Sequence, residues 1–144
     1  MPYVTRNHPK LTLEGARAVL AAARRRAEDI RCPMDVAIVD EGGHLLVFER
    51  MDGAKPSSIA IAMVKAQAAA VRRSLTGPAM SGENANVPLT IGLAVASPTE
   101  QTPIRGGVPL VVDGEVVGAI GVSAGSEEQD LDVARAGAAA LEKA

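Results

Sequence analysis

The chain has 144 residues, 47% of them hydrophobic, with 15 Lys and Arg against 17 Asp and Glu and a formal net charge of −2. That is enough apolar material for the core of one domain, residues 1–144, and it excludes a disordered chain. The slight acidic excess argues against nucleic acid or a charged membrane surface as a partner. A single cysteine, Cys32, excludes an intrachain disulfide and fits a reducing compartment. No Trp, one Tyr and one Phe exclude a site that works by aromatic stacking. No apolar stretch nears the roughly 18 residues of a membrane span, and the first ten residues lack the apolar segment of a leader. A cytoplasmic protein is expected.

Residues 1–10 are polar, contain Pro2 and Pro9, and read as an extended arm. Thr12 is a candidate N-cap, with Glu14 in the first turn behind it. Ala16, Leu20, Ala23, Ala27 and Ile30 then recur at helical spacing, which predicts a helix over 13–30. The run Arg24-Arg25-Arg26 fits a solvated helix face better than an anion patch, because acids outnumber bases overall.

Cys32-Pro33 ends that helix. The short apolar run 36–39 predicts a strand covered on both faces. Asp40-Glu41-Gly42-Gly43 turns the chain, and 45–48 returns as its hairpin partner. A loop at 50–56 leads to a helix capped by Ser57 or Ser58 and running to about Leu75. Its inner face holds Ala62, Ala66 and Ala69, and Thr76-Gly77-Pro78 stops it. Such alanine-rich helices are thin, which points to a homo-oligomer.

Residues 78–88 show no period and read as a loop. Leu89, Ile91, Leu93 and Val95 alternate with smaller residues, so period two predicts a strand over 89–96. The runs 108–112 and 116–122 flank Asp113-Gly114, a strong hairpin signal. Ser126 with Gln129 forms a capping box that opens a last helix, about 127–142, with Ala134, Gly137, Ala138 and Leu141 inward. Strands joined by tight turns are antiparallel. The expected architecture is therefore α/β of the α+β kind, an antiparallel sheet with helices on its faces.

Several phrases in order resemble one family. Asp40-x-Gly42-Gly43-His44-Leu45, Arg50-Met51-Asp52-Gly53-Ala54 and Lys65-Ala66 resemble the first half of the GlcG/HbpS-like proteins (DUF336). Gly106-Gly107-Val108-Pro109-Leu110, Asp113-Gly114, the run 117–123 and Gln129-Asp130 resemble the second half. The resemblance implies a profilin-like fold with a five-stranded antiparallel sheet and a compact oligomer. It also implies haem binding in some members, a link to small-acid catabolism in others, and kinship with a domain appended to corrinoid adenosyltransferases.

Three clusters are candidate sites. His44, after two glycines, presents an imidazole suited to a metal such as haem iron or to proton transfer; the bland alternative is an exposed turn histidine. With no C-x-x-C-H motif, any haem is non-covalent, and Cys32, Met51, Met63 and Met80 are further axial candidates in principle, although methionines at such places are usually packing. His8 reads as a flexible-arm histidine, and no His/Cys spacing suggests zinc. In the second cluster, Arg50 offers a fork for a carboxylate, Asp52 a base or an ion-pair partner, and Lys65 a proton carrier if it faces inward. The third is the helix entrance from Ser123 to Glu128 and Asp130, with Gly106 and Gly107 nearby, where backbone amides can hold an anion although the carboxylates oppose one. The leading expectation is a small-ligand-binding oligomer with haem as the candidate ligand. An acid–base enzyme on a small carboxylate or carbonyl compound (Arg50 binding; His44, Asp52 or Glu128 moving protons) is the second. A non-catalytic partner subunit is the third.

Overall fold

The computed structural model describes residues 2–143. Four helices and six strands follow in the order α1 (Leu13–Asp29), β1 (Asp35–Asp40), β2 (Leu45–Arg50), α2 (Ser58–Arg72), β3 (Met80–Ser81), β4 (Asn84–Ala85), α3 (Val87–Ala96), β5 (Gly107–Val112), β6 (Glu115–Ser123) and α4 (Glu127–Ala139), with a 3-10 turn at Ala140–Lys143. The main sheet has the order β2-β1-β6-β5 and is antiparallel throughout. The α+β class and the helix-flanked antiparallel sheet are those the sequence predicts.

Both main hairpins form as their turns dictate. Asp113 and Gly114 have φ of 52° and 77°, the left-handed pair that a two-residue turn needs. Pro109 sits on β5, an edge strand, where its missing N–H removes no central ladder bond. The caps also form. Thr12 Oγ1 accepts from the Gly15 amide, and Ser126 and Gln129 close a reciprocal capping box at the start of α4.

The sheet is covered on both faces, and the two covers differ. α1 and α4 lie over Val36, Ile38, Leu110, Ile120 and Val122, with Val19, Ala23 and Val133 packed between. α2 lies on Ala37, Val39 and Ala119 through Ala62, Ala66, Ala69 and Ala70. Here alanine and glycine set the spacing: a Cβ at Gly121 would fall 2.1 Å from the Ala62 carbonyl oxygen, and one at Gly107 would fall 2.4 Å from that of Lys65. The alanine stripe of α2 is therefore used inside the chain, against its own sheet.

The segment 78–96 departs from expectation. Residues 80–85 form a small β3–β4 hairpin, and 89–96 belongs to a helix, so the main sheet has four strands and gains none from this segment. Asn86 caps α3, its side chain accepting from the Leu89 amide at 3.1 Å, and Pro88 lies in the first turn. Those start signals outrank the alternation of Leu89, Ile91, Leu93 and Val95. No residue of α3 is buried in the chain, so no core face imposes a period on its sequence.

Candidate functional site

The two ends of the sheet carry different chemistry. At one end, β1 begins, β2 ends and β6 ends, which aligns Ser123, Asp35 and Arg50 in one row across three strands. Asp35 shares its face with Ala37 and Val39, toward α2. It is 0% exposed, and neither carboxylate oxygen has a hydrogen-bond partner among the described residues. Burial pushes its pKa up, and the opposing Arg50 charge offsets only part of that. Asp35 is absent from the sequence candidates, although its alternation with Ala37 and Val39 already placed it on a covered face.

Lys65 does face inward. It is 1% exposed, and its Nζ donates at 2.8 Å both to Asp130 Oδ2 and to the Val122 carbonyl oxygen. Asp130 Oδ1 accepts from the Gly125 amide at 2.9 Å. A Cβ at Gly106 would stand 2.9 Å from Lys65 Nζ, so the glycine closes over the pair. The Gly107 amide donates to Thr76 Oγ1 and its carbonyl oxygen accepts from the Thr76 amide, and Ser123 is buried. Lys65, Gly106, Gly107 and Ser123 thus belong to a closed seam between α2, β6 and α4. Glu128 stands outside it, exposed on the first turn of α4. The inward placement of Lys65 was readable: it lies three residues from Ala62 and four from Ala69 on one helical stripe.

Beside this seam, Arg50 and Asp52 open onto a hollow of about 360 Å³, walled by Arg24, Glu28, Glu49 and Met51. Arg24 pairs with both Glu49 oxygens, at 3.1 and 3.2 Å. Arg50 and Asp52 form no ion pair with each other, and among the described residues neither side chain has a recorded hydrogen bond.

His44 lies at the opposite end. Six residues of β2, at about 3.3 Å per residue, put it roughly 20 Å from Arg50, so one chain does not bring the two together around a small ligand. Asp40 organises its turn: Oδ1 accepts from the amides of Gly42 and His44, each at 2.9 Å. The exposed imidazole folds over Gly42, and a Cβ there would lie 3.1 Å from its Cδ2. His44, Gln67, Val71, Thr99 and Glu100 line a hollow of about 140 Å³. That is below the roughly 300 Å³ at which small-molecule sites begin. Nearby, Arg73 Nη1 donates to the Glu41 carbonyl oxygen at 3.0 Å, and Lys10 pairs with Glu41 at 3.0 Å. A backbone amide hydrogen bond, and after it the Lys10 pairing, hold the Glu41 carboxyl below its usual range.

Of the other candidate ligands, Cys32, Met51 and Met63 are placed as packing groups. Cys32 Sγ lies 3.7 Å from Gln129 Oε1, and burial, with the Asp130 charge second, pushes its thiol pKa up. Met51 Sδ accepts from the Met34 amide at 3.4 Å, Met63 packs on the α2 face of the sheet, and Met80 is exposed on β3. His8 pairs with Glu115 at 2.8 Å across an exposed surface. Among the described residues, no three His, Cys, Asp or Glu side chains gather as a metal site, and no helix is long and apolar enough to cross a membrane.

The helix-flanked antiparallel sheet defines a small α+β domain. The chain matches the family described as haem degrading protein HbpS-like over residues 11–139, and it belongs to that HbpS-like family. It is 38% identical over 114 residues to the protein GlcG of Escherichia coli K12, covering 78% of this chain and 81% of GlcG. Among solved structures, it resembles the Klebsiella pneumoniae protein ORFY with a TM-score of 0.85 at 27% identity, over 100% of this chain and 99% of that one. It also resembles a PduOC:heme complex with a TM-score of 0.79 at 30% identity, over 92% of this chain and 95% of that one.

Proposed function

We propose that this protein is a cytoplasmic oligomer that binds haem non-covalently, with His44 as the residue that would hold its iron. The reading rests on family membership, on a structural relative solved with haem, and above all on His44. That imidazole is exposed, held by an Asp40-bonded turn, and set at the mouth of a hollow. Bound haem supplies a redox-active iron that accepts a nitrogen ligand. The chain's own residues would supply the imidazole and the apolar edge of Val71. The hollow is smaller than haem, so a neighbouring copy completes its walls. Titrating the protein with hemin tests this: a saturable Soret shift that His44→Ala changes supports it, and no saturable shift overturns it.

A second reading has its own observation. The 360 Å³ hollow holds Arg50 and Asp52, neither with a side-chain hydrogen bond among the described residues, an arrangement suited to a small carboxylate held by Arg50 while Asp52 moves a proton. Proton exchange on a panel of small keto acids, followed by NMR with Asp52→Asn alongside, tests it. His44 and Glu128 lie apart from that hollow and are assigned no part in it.

A further inference from the structure

Asp35 is a buried titratable group that neither functional reading uses. Its side chain is 0% exposed, and both carboxylate oxygens lack a hydrogen-bond partner among the described residues. Folding alone gives no reason to bury a bare carboxylate, since such a group costs stability. A buried carboxyl beside an open hollow is instead a mark of ligand chemistry. Arg50 connects the two. It pairs directly with Asp35 across β1 and β2, which sets both side chains on one face of the sheet with backbones about 5 Å apart. It also lines the hollow of about 360 Å³. On the other side of Asp35, β6 offers Ser123, buried and uncharged. α2 ends beside the β1–β2 turn, where a Cβ at Gly43 would meet Val71 and Gln67, so its first turn covers the Asp35 end through Ser58, also buried and uncharged. Lys65, further along α2, is already neutralised by Asp130 at 2.8 Å. The loop before α2 carries Asp52 and Lys55, both exposed to solvent that screens them. The start of α2 weakly favours an anion, yet no described amide bonds the carboxylate. That leaves Arg50 as the full charge facing Asp35 among the described residues; it favours the ionised carboxyl, and burial opposes it more strongly.

We infer, on the carboxylate reading of that hollow, that Arg50 takes up a small carboxylate together with one proton, and that the proton goes to Asp35. Ionised Asp35, cationic Arg50, the ligand anion and a solvent proton become protonated Asp35 and an Arg50–carboxylate ion pair, with no change in any bond to carbon. Two carboxylates facing one guanidinium do not both stay ionised when one of them is buried. The ligand anion accepts from both arms of the guanidinium fork, so it keeps the charge. Asp35, with no hydrogen bond to lose, takes the proton. Affinity therefore rises as pH falls. It is flat below the pKa of Asp35 in the empty protein, falls by about tenfold per pH unit up to the higher pKa of the bound protein, and is flat again above it.

Pyruvate is the probe. Its binding to the full chain is followed by calorimetry between about pH 4 and 8, from the ordinary carboxyl range upward, and the Asp35 carboxyl carbon is followed by NMR. The wild type is expected to bind at least about tenfold more tightly at the low end, and Asp35→Asn to keep that tight affinity at every pH. Bound pyruvate and Arg50→Met are each expected to move the Asp35 titration to higher pH. Far-UV circular dichroism verifies the fold of both variants, and if Asp35→Asn does not fold, the wild-type carbon titration decides alone. Pyruvate binding that ignores pH, or a pH dependence that survives in Asp35→Asn, overturns the inference and leaves the carboxylate reading intact. So does an Asp35 titration that neither bound pyruvate nor Arg50→Met moves. No saturable binding overturns the carboxylate reading and the inference with it.

Discussion

Lys65 Nζ and Asp130 Oδ2 meet at 2.8 Å with side-chain exposures of 1% and 4%, tying the middle of α2 to the first turn of α4 at the end of β6. Removing one member strands a buried charge, which costs about 3–5 kcal/mol, whereas replacing both is often close to neutral. Lys65→Met is therefore expected to lower stability by that amount, and Lys65→Met/Asp130→Leu to recover most of it. A urea-denaturation double-mutant cycle measures this. Equal losses in the single and double variants would contradict a paired role.

Asp35 predicts a pH dependence of the opposite sense to a paired carboxylate. Its folded pKa is raised above 3.8 by burial, so the protonated acid is the form the fold favours. Its contribution is fully present below the unfolded value and is lost as pH rises through the raised folded value. At neutral pH a buried, unpartnered carboxylate remains a burden that an amide lessens. Asp35→Asn is expected to raise stability by about 1 kcal/mol or more at pH 7, with the gain vanishing below pH 3.8. Thermal unfolding across that range reads it, and a variant less stable than wild type at pH 7 would count against it.

Gly121 sets the distance between α2 and the sheet. A Cβ there would lie 2.1 Å from one backbone atom of α2 and 2.4 Å from another, and neither belongs to a flexible side chain. Gly121→Ala is expected to destabilise by about 3 kcal/mol or more, at or above the upper end of ordinary overpacking. A urea midpoint unchanged from wild type would mean that α2 shifts freely.

The roughly 20 Å between His44 and Arg50 separates the two functional readings experimentally. His44→Ala is expected to change the hemin spectrum while leaving stability within about 0.5 kcal/mol, as exposed substitutions do. Arg50→Ala is expected to leave that spectrum unchanged. Spectral loss in both variants would place the ligand across a contact between chains, joining one copy's His44 to another's Arg50.

Features encoded within a few residues were legible in the sequence. Asp113-Gly114 specifies its turn because few residues tolerate positive φ, and Ser126 with Gln129 specifies the start of α4 because a capping box closes over three residues. The first helix, both main hairpins and the sheet's antiparallel sense follow from such local signals and from periodicity. The strand reading of 89–96 fails for the complementary reason. Periodicity records which face a core covers, and α3 has no core within its chain, so its alternation carries no structural information while Asn86 and Pro88 do.

Tertiary structure alone decided the rest. Lys65 and Asp130 are 65 positions apart, and whether each is a solvated charge or half of a buried pair depends on α2 lying close enough to the sheet, through Gly107 and Gly121, for the ammonium to reach α4. His44 and Arg50 are close in sequence and far apart in space, because an extended strand carries its two ends away from each other. Residue types and local spacings told which groups have useful chemistry. Which of them lie at the same end of the sheet was decided by the register of β1 against β2 and β6, since only long-range pairing determines which ends of the strands meet.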